Sequence, residues 1–267
     1  MINRLEPILL QKQREVAALC QRLEQDTNHP IAQVLRSEQP LKRSVRFKGV
    51  LKSSSLAVIA EIKRKSPSKG AIASISDPIN LAKRYISGGA SALSILTDNE
   101  YFGGHIDDLI QVAGAARDQS IPIIRKDFII DKVQIAEAAV AGASAVLCII
   151  SVLHHKTKAL LDFAHSINID VLVEIYDHHE LNIALDCGAD IIGVNNRDLN
   201  TFVVDTQRAL KIVSAIPDTI IKVAESGITD PALARQYHQA GFDAVLIGEA
   251  LAKSSDPEHF IQECRHG

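Results

Sequence analysis

Short apolar runs alternate with amphipathic stretches along most of the chain. One phrase, a glycine with small neighbours followed by a continuous apolar run, occurs four times at intervals of about fifty residues: GGASALSIL from Gly88, AGASAVLCII from Ala141, CGADIIGVN from Cys187 and AGFDAVLIG from Ala240. A glycine between a helical pattern and an apolar run is typical of a helix end followed by a buried strand. This spacing is too long for one strand-helix unit and fits two.

Four further apolar runs lie midway between these phrases: LAVIAEIK (56–63), IPIIRKDF (121–128), DVLVEIY (170–176) and TIIKVAES (219–226). The stretches between the runs are amphipathic, and several open with Asp, a common helix N-cap. Eight buried strands that alternate with helices predict a single (β/α)₈ TIM barrel, an α/β fold. An open doubly wound sheet is the alternative, and it is weakened because no G-x-G-x-x-G follows the first strand.

The first residues show one apolar stripe at helical spacing, which predicts a helix followed by a basic linker flanked by Pro30 and Pro40. We predict that residues 1–45 form an N-terminal helical extension packed on the barrel, and that residues 46–267 form the barrel, giving one structural domain. Two roles stay open for the extension. It can be a stabilising cap, or it can contribute to binding directly.

Composition argues against a nucleic-acid-binding, membrane-spanning or metal-binding protein. The 267 residues carry 29 Lys and Arg against 32 Asp and Glu, and the net charge of −3 gives no footprint for nucleic acid. No apolar run approaches the roughly 20 residues that cross a bilayer, so no membrane partner is predicted. The four cysteines stand in no C-x-x-C or metal spacing. A reduced, cytoplasmic protein without a metal site is the prediction.

Charged and polar residues gather at the C-terminal ends of the apolar strands, where barrel enzymes of this type carry their active sites. These residues are Glu61, Lys63, Arg125, Lys126, Asp127, Glu174, Asn195, Asn196, Arg197, Glu225 and Ser226. Because a buried charge is costly unless it is paired, we expect them to form one network at the barrel mouth.

Two pairs stand out within this network. Glu61 and Lys63 are two apart on a strand, so both side chains point to the same side; a structural ion pair at the barrel top is the alternative reading. Lys126 and Glu174 are a candidate acid and base on opposite sides of one pocket. Neighbouring cations would lower the pKa of the lysine, and an apolar rim would raise that of the carboxyl group.

Glycines at two strand ends suggest a phosphate site, at Ser226 and Gly227 after the seventh strand and at Gly248 and Glu249 after the eighth. Loops at these positions in barrels frequently hold a phosphate through backbone N–H groups. The loop 64–70, RKSPSKG, is cationic and rich in hydroxyl groups, which suits a lid that closes over an anionic substrate. A solvated basic loop is the alternative.

The segments VIAEIKRKSPSKG, ALSILTDNEYFGG, IIRKDFIID, VLVEIY, IIGVNNRDL, VAESGI and AVLIGEAL, in this order, resemble the indole-3-glycerol phosphate synthase family. The resemblance spans every strand from 57 to 251. It implies ring closure of 1-(2-carboxyphenylamino)-1-deoxyribulose 5-phosphate, with loss of carbon dioxide and water, in tryptophan biosynthesis, by a carboxy-lyase without a cofactor. The implied partner is this small phosphosugar-anthranilate substrate. No motif in the sequence identifies another enzyme of the pathway as a binding partner.

The resemblance also implies roles for individual residues. Lys126 would be the general acid, Glu174 the general base, and Lys63 an electrostatic clamp or second acid. Supporting positions are Glu61, Asn195, Arg197 and Glu225 around the substrate hydroxyls and lysines, Ser66, Ser226, Gly227, Gly248 and Glu249 near the anionic groups, and Phe102 and Phe128 as an aromatic wall. Two departures are Tyr176, where the family more often has histidine, and Glu249, which offers no hydroxyl to a phosphate.

Two other classes of function stay open at this point. One is a different phosphosugar barrel enzyme, such as an isomerase or a Schiff-base aldolase with Lys126 as its nucleophile. The other is a non-catalytic barrel that binds a ligand or a partner. A chain that only binds has no need for both an acid and a base, so the polar strand ends favour an enzyme.

Overall fold

Eight parallel strands form a closed barrel in the computed structural model, which describes residues 4–37, 39–41, 45–53, 55–67 and 70–266. The strands are β1 (Ala57–Ile62), β2 (Ala92–Leu96), β3 (Ile123–Lys126), β4 (Ala145–Ile149), β5 (Asp170–Ile175), β6 (Ile191–Asn195), β7 (Ile221–Glu225) and β8 (Ala244–Ile247). Each strand pairs in parallel with its neighbours in sequence, and β1 pairs with both β2 and β8. The predicted TIM barrel is confirmed.

Thirteen α-helices accompany the strands among the described residues: α1 (Leu5–Gln25), α2 (Pro30–Ser37), α3 (Phe47–Leu51), α4 (Pro78–Ser87), α5 (Ile106–Ala116), α6 (Lys132–Ala141), α7 (Ile150–Leu153), α8 (Thr157–Ser166), α9 (His178–Asp186), α10 (Gln207–Ile212), α11 (Pro231–Gln239), α12 (Glu249–Lys253) and α13 (Pro257–His266). In that part of the chain, no helix combines the length and the apolar character that a membrane span requires.

Local signals in the sequence explain where several helices begin and end. The helices α4, α6, α9 and α11 each start after an aspartate whose side chain accepts a backbone N–H of the first turn: Asp77, Asp131, Asp177 and Asp230. The repeated phrases contain the glycine that follows a helix, and each of these glycines has a positive φ: Gly89, Gly142, Gly188 and Gly241. A residue with a side chain would be strained at a positive φ, so each repeated glycine marks the end of a helix.

Strand residues alternate between two apolar layers. In β1, Ala57 and Ile59 pack inside the barrel, whereas Val58 and Ala60 belong to the layer between the barrel and its helices. Both faces are therefore buried, which is why the strands appear as continuous apolar runs in the sequence. The inward positions form a series with a period of two residues, and this series leads to the mouth.

The segment before β1 ends in α3, which packs at one end of the barrel. At the N-terminal end of the strands, Phe47 and Leu51 of α3 are fully buried, and the Lys48 backbone N–H donates to Asp170 at 2.9 Å. The expected linker after α1 was partly wrong, because α2 begins at Pro30. Proline suits the first position of a helix, where no intrahelical N–H bond is lost. The division into an extension and a barrel stays a prediction.

Candidate active site

The charged residues at the mouth continue the inward-facing series of their strands. In β3, Lys126 lies two residues after the interior Ile124, and in β5, Glu174 lies two residues after the interior Leu172. The same step leads from Val223 to Glu225 in β7. Because side chains alternate across a strand, these groups project into the barrel axis above its apolar filling.

Every residue given a role in catalysis or substrate binding from the sequence lines one of two adjoining cavities, whereas Arg125 and Asn196, expected in the same network, line neither. The larger measures about 730 Å³, and the smaller about 60 Å³. Their common boundary contains Glu61, Lys63, Lys126, Arg197 and Ser226. Only the larger cavity includes Glu225, Gly227, Gly248 and Glu249, and only the smaller includes Ser66, Phe102, Phe128, Glu174 and Asn195. The site therefore has a glycine-rich compartment and an aromatic compartment, with both lysines between them.

Lys126 stands among carboxylates. Its Nζ lies 3.1 Å from Glu225 Oε2 and 3.5 Å from Glu174 Oε2. Burial opposes the charge on the ammonium, but Glu225, Glu174 and Glu61 outweigh that effect and raise the pKa of Lys126 well above its ordinary value. The expected lowering of this pKa was wrong, because the nearest charges are acidic. The side chain of Lys126 therefore stays protonated at neutral pH.

Glu225 is a buried carboxyl group of this cluster, and its pKa is raised. Burial is the main cause and raises the pKa to about 7; Lys126 opposes the shift and Glu174 adds to it. Glycine on the neighbouring strand makes room for the carboxylate, since a Cβ on Gly193 would lie 2.0 Å from Glu225 Oε1. The Glu61 carboxylate has the same arrangement with Gly248, where a Cβ would lie 2.4 Å away.

Lys63 borders the aromatic compartment. Its Nζ lies 3.4 Å from Glu61 Oε1 and 5.7 Å from the centre of the Phe102 ring. The Phe102 and Phe128 rings are tilted with their centres 6.1 Å apart. The ion pair considered for Glu61 and Lys63 thus exists, and both residues also line the cavities. One ammonium therefore faces both a carboxylate and an aromatic wall.

The glycine-rich compartment is shaped by the ends of β7 and β8. Ser226 and Gly227 both have positive φ values, 65° and 79°, and a Cβ on Gly227 would lie 2.6 Å from Val204. Gly248 immediately precedes α12, whose first residue is Glu249. The Glu249 carboxylate pairs with Lys253 at 2.6 Å. The first turn of α12 and the β7 loop thus lie beside the cavity.

The basic loop after β1 is tied to its neighbours through two of its cations. Arg64 pairs with Asp108 of α5, with Nη2 3.0 Å from Oδ1, and Lys65 Nζ donates to the Glu100 carbonyl at 2.6 Å. Ser66 reaches the aromatic compartment. Ser68 and Lys69, which belong to the predicted lid, lie outside the described residues. Arg64 and Lys65 thus hold the loop against its neighbours.

Several site-lining residues were missed from the sequence. Leu199 and Phe202, in the segment after β6, close the aromatic compartment. The sequence gives only a weak indication of their position, because they are two apolar residues in an otherwise polar loop. Asn196 was expected at the mouth but lines neither cavity: it is fully buried and donates to the Ser226 carbonyl at 3.0 Å and to Tyr237 Oη at 2.9 Å. Its partners are far away in sequence, so its role as a brace for the β7 loop needed the fold.

The sequence is similar to one protein family over nearly its whole length. The family model described as indole-3-glycerol phosphate synthase matches residues 5–264. A protein of that name from Chlorobium phaeobacteroides is 43% identical over 260 residues, covering 96% of this chain and 97% of its own. Another from Opitutus terrae is 43% identical over 270 residues, covering 99% of each chain.

Solved structures share the fold at low identity. A 3-hexulose-6-phosphate synthase from Salmonella typhimurium superposes with a TM-score of 0.61 at 11% identity, over 78% of this chain and 96% of that one. A thiamine phosphate pyrophosphorylase from Pyrococcus furiosus gives 0.59 at 17% identity, over 78% and 93%. These two likenesses concern the barrel alone, whereas the match to the family model covers nearly the whole sequence. The chain belongs to the indole-3-glycerol phosphate synthase family.

Proposed function

We propose that this chain converts 1-(2-carboxyphenylamino)-1-deoxyribulose 5-phosphate to indole-3-glycerol phosphate, by ring closure with loss of carbon dioxide and water. The observation that carries the proposal is the position of Lys63 and Lys126 where the two compartments meet. This substrate has an aromatic ring at one end and a phosphate at the other. With the ring against Phe102 and Phe128 and the phosphate beside Gly227 and Gly248, its keto carbon lies near the lysines.

The larger compartment has the volume of a small-molecule site. Ligand pockets commonly measure about 300–1,000 Å³, and this one measures about 730 Å³. The backbone N–H groups of Gly227, Gly248 and Glu249 are the proposed phosphate donors, with Ser226 and Arg197 beside them. Because the Glu249 carboxylate is paired with Lys253, it is Glu249's backbone that serves the phosphate. Ser66 would contact the substrate at the aromatic end.

Lys126 is the proposed general acid for ring closure. As the arene carbon attacks the keto carbon, negative charge develops on the keto oxygen, and a positioned ammonium stabilises it and then transfers a proton. The carboxylates around Lys126 keep that proton in place until the oxygen becomes basic enough to take it. Glu225 and Glu61 are the proposed supports of the ammonium.

Glu174 is the proposed general base for the later dehydration. Its Oε2 lies 3.5 Å from Lys126 Nζ, so a proton taken from the substrate stays within the same cluster. Asn195 lines the compartment beside it and would orient the substrate hydroxyls. Lys63, next to the aromatic wall, is the proposed clamp for the anthranilate carboxylate until decarboxylation, or a second acid.

The same charges speak against Lys126 as a Schiff-base nucleophile. An amine attacks a carbonyl only after it loses its proton, and nucleophilic lysines are therefore found where burial or nearby cations lower the pKa. Here Glu225, Glu174 and Glu61 act in the opposite direction. Borohydride added during turnover should therefore trap no adduct on Lys126. A stable adduct would replace the acid-base proposal by an aldolase-type mechanism.

The first prediction concerns Lys126 directly. Purified protein incubated with the carboxyphenylamino substrate should produce indole fluorescence, which is easily followed because the chain contains no tryptophan. Lys126→Ala should lower kcat by about a hundredfold or more, the usual cost of losing a positioned acid. Binding of inorganic phosphate should persist, because the phosphate donors belong to other strands.

Lys158→Ala is the matched control. Lys158 lies on α8 in an exposed ion pair with Asp162 and should keep the wild-type rate. Unchanged turnover in Lys126→Ala would remove the proposed acid. Folded wild-type protein that gives no indole signal would contradict the proposed reaction itself.

A further inference from the structure

A buried lysine of α1 joins the ends of two barrel strands. Lys12 is only 1% exposed, and its Nζ lies 2.9 Å from Asp98 Oδ2 and 2.9 Å from Asp127 Oδ1. Asp98 follows β2, and Asp127 follows Lys126 at the end of β3. A third carboxylate, that of Glu15 on α1, lies 2.8 Å from the same nitrogen. One ammonium from outside the barrel thus bridges two neighbouring strand ends.

Each bridged aspartate also holds the backbone of one phenylalanine of the wall. Asp98 Oδ1 accepts the Phe102 backbone N–H at 3.1 Å, and Asp127 Oδ1 accepts the Phe128 backbone N–H at 2.8 Å. Lys12 is therefore connected to the backbone of each phenylalanine through one aspartate. It does not line either compartment.

Without Lys12, the two aspartates would be buried like charges on adjacent strand ends. Such a pair repels strongly away from water. Arg125 neutralises Asp127 from the other side, with Nη2 3.2 Å from Oδ2. Among the residues that the structure describes, the cation paired with Asp98 is Lys12. Loss of Lys12 would therefore release the Asp98 loop, which carries Phe102, more than the end of β3.

We propose that Lys12 is a positioning residue that fixes the spacing of the Phe102 and Phe128 rings and so the fit of the substrate's aromatic end. The inference rests on the proposed function, because it takes these rings as the wall for the anthranilate group. It gives α1 a part in substrate recognition that passes through Asp98 and Asp127 and requires no contact with the substrate.

The test compares the two ends of the substrate in Lys12→Met. Loss of an aligned aromatic wall should raise KM about three- to tenfold, the range expected from the energy of one aromatic pair. The inhibition constant of inorganic phosphate should stay within about twofold, because phosphate binds in the glycine-rich compartment. A merely structural loss would weaken both together. Lys158→Met is the control and should change neither constant.

A charge-balanced variant separates positioning from stability. Lys12→Met combined with Asp98→Asn removes one charge of each sign, and the amide oxygen of the new side chain can still accept the loop N–H groups. We expect its Tm to recover towards wild type while KM stays high. A KM that returns to the wild-type value would show that Lys12 only balances charge, and failure of both variants to fold would make it a structural residue; either result overturns the proposal.

The outcome is also separable from that of the proposed reaction. Wild-type protein that forms no indole contradicts the reaction, whatever Lys12 does. Wild-type protein that turns over, together with an unchanged KM in Lys12→Met, contradicts only the role of Lys12.

Discussion

At the scale of single residues, two glycines set the positions of two carboxylates. Gly193 of β6 faces Glu225 of β7, and Gly248 after β8 faces Glu61 of β1. Each carboxylate occupies the space that a Cβ on the next strand would fill. Gly193 therefore affects the electrostatics of the site, because it leaves the space in which Glu225 comes within 3.1 Å of Lys126.

Gly193→Ala should impair catalysis while the barrel still folds. The added Cβ would lie 2.0 Å from Glu225 Oε1, so the carboxylate must turn away from Lys126. We expect kcat to fall by about tenfold or more as Lys126, the proposed acid, loses a support, on the scale of other misplaced catalytic groups. Steady-state kinetics and circular dichroism measure the two effects separately.

Gly114→Ala is the matched control for that substitution. Gly114 lies in α5, and a Cβ there meets nothing within 4 Å. This variant should keep full activity and gain up to about 1 kcal/mol of stability from helix propensity. Equal activity in both variants would mean that the position of Glu225 does not matter for the rate.

At the scale of elements, one helix braces the loops of the glycine-rich compartment. Tyr237 of α11 accepts a hydrogen bond from Asn196 at 2.9 Å and donates to the Thr206 carbonyl at 2.8 Å. Asn196 in turn donates to the carbonyl of Ser226, a residue held at a positive φ. The outer helix thus supports a strained backbone at the mouth through two buried side chains.

Tyr237→Phe should therefore destabilise the protein. It removes the hydroxyl that pairs with the Thr206 carbonyl and one of the two partners of the buried Asn196 amide, which costs about 1–3 kcal/mol. Urea unfolding measures the loss. Tyr85→Phe is the comparison, since Tyr85 is fully buried and its hydroxyl has no hydrogen-bond partner among the described residues. That change should be neutral or stabilising; equal losses in the two variants would contradict the proposed brace.

At the scale of the whole molecule, barrel closure creates the electrostatics of the site. Glu61 of β1, Glu174 of β5 and Glu225 of β7 approach Lys126 of β3 only because the eight strands close in a ring. An open sheet would separate β1 from β8 and spread these charges along an edge. The closed ring concentrates them in a region away from water.

The buried cluster should make stability depend on pH. Burial raises the pKa of Glu225 from its ordinary 4.5 to about 7. Between these values the folded protein keeps a proton that the unfolded chain has released, so this group's contribution to the free energy of unfolding falls as pH rises. Glu225→Gln should flatten that slope in urea titrations across this range. Glu24→Gln, on an exposed part of α1, is the control, and an equal slope in wild type and Glu225→Gln would refute the assignment.

Much of the fold could be predicted because its signals are local. The N-cap aspartates, the glycines with positive φ and the buried apolar runs each depend on a few neighbouring residues. The meeting of the polar strand ends could be predicted for a related reason, because the parallel strands of a barrel end at one mouth. The error at Pro30 was also local, since proline both ends a helix and begins one.

The eight strands, the ends of several helices and the set of polar residues at the mouth follow from the amino-acid sequence alone, because the periodicity of strands and helices depends on consecutive residues. The tertiary structure decided the charges that surround Lys126, the burial of Lys12 between Asp98 and Asp127, and the space that Gly193 leaves for Glu225. Electrostatic interactions and close contacts depend on distances between residues far apart in the chain, and only the closed barrel fixes those distances.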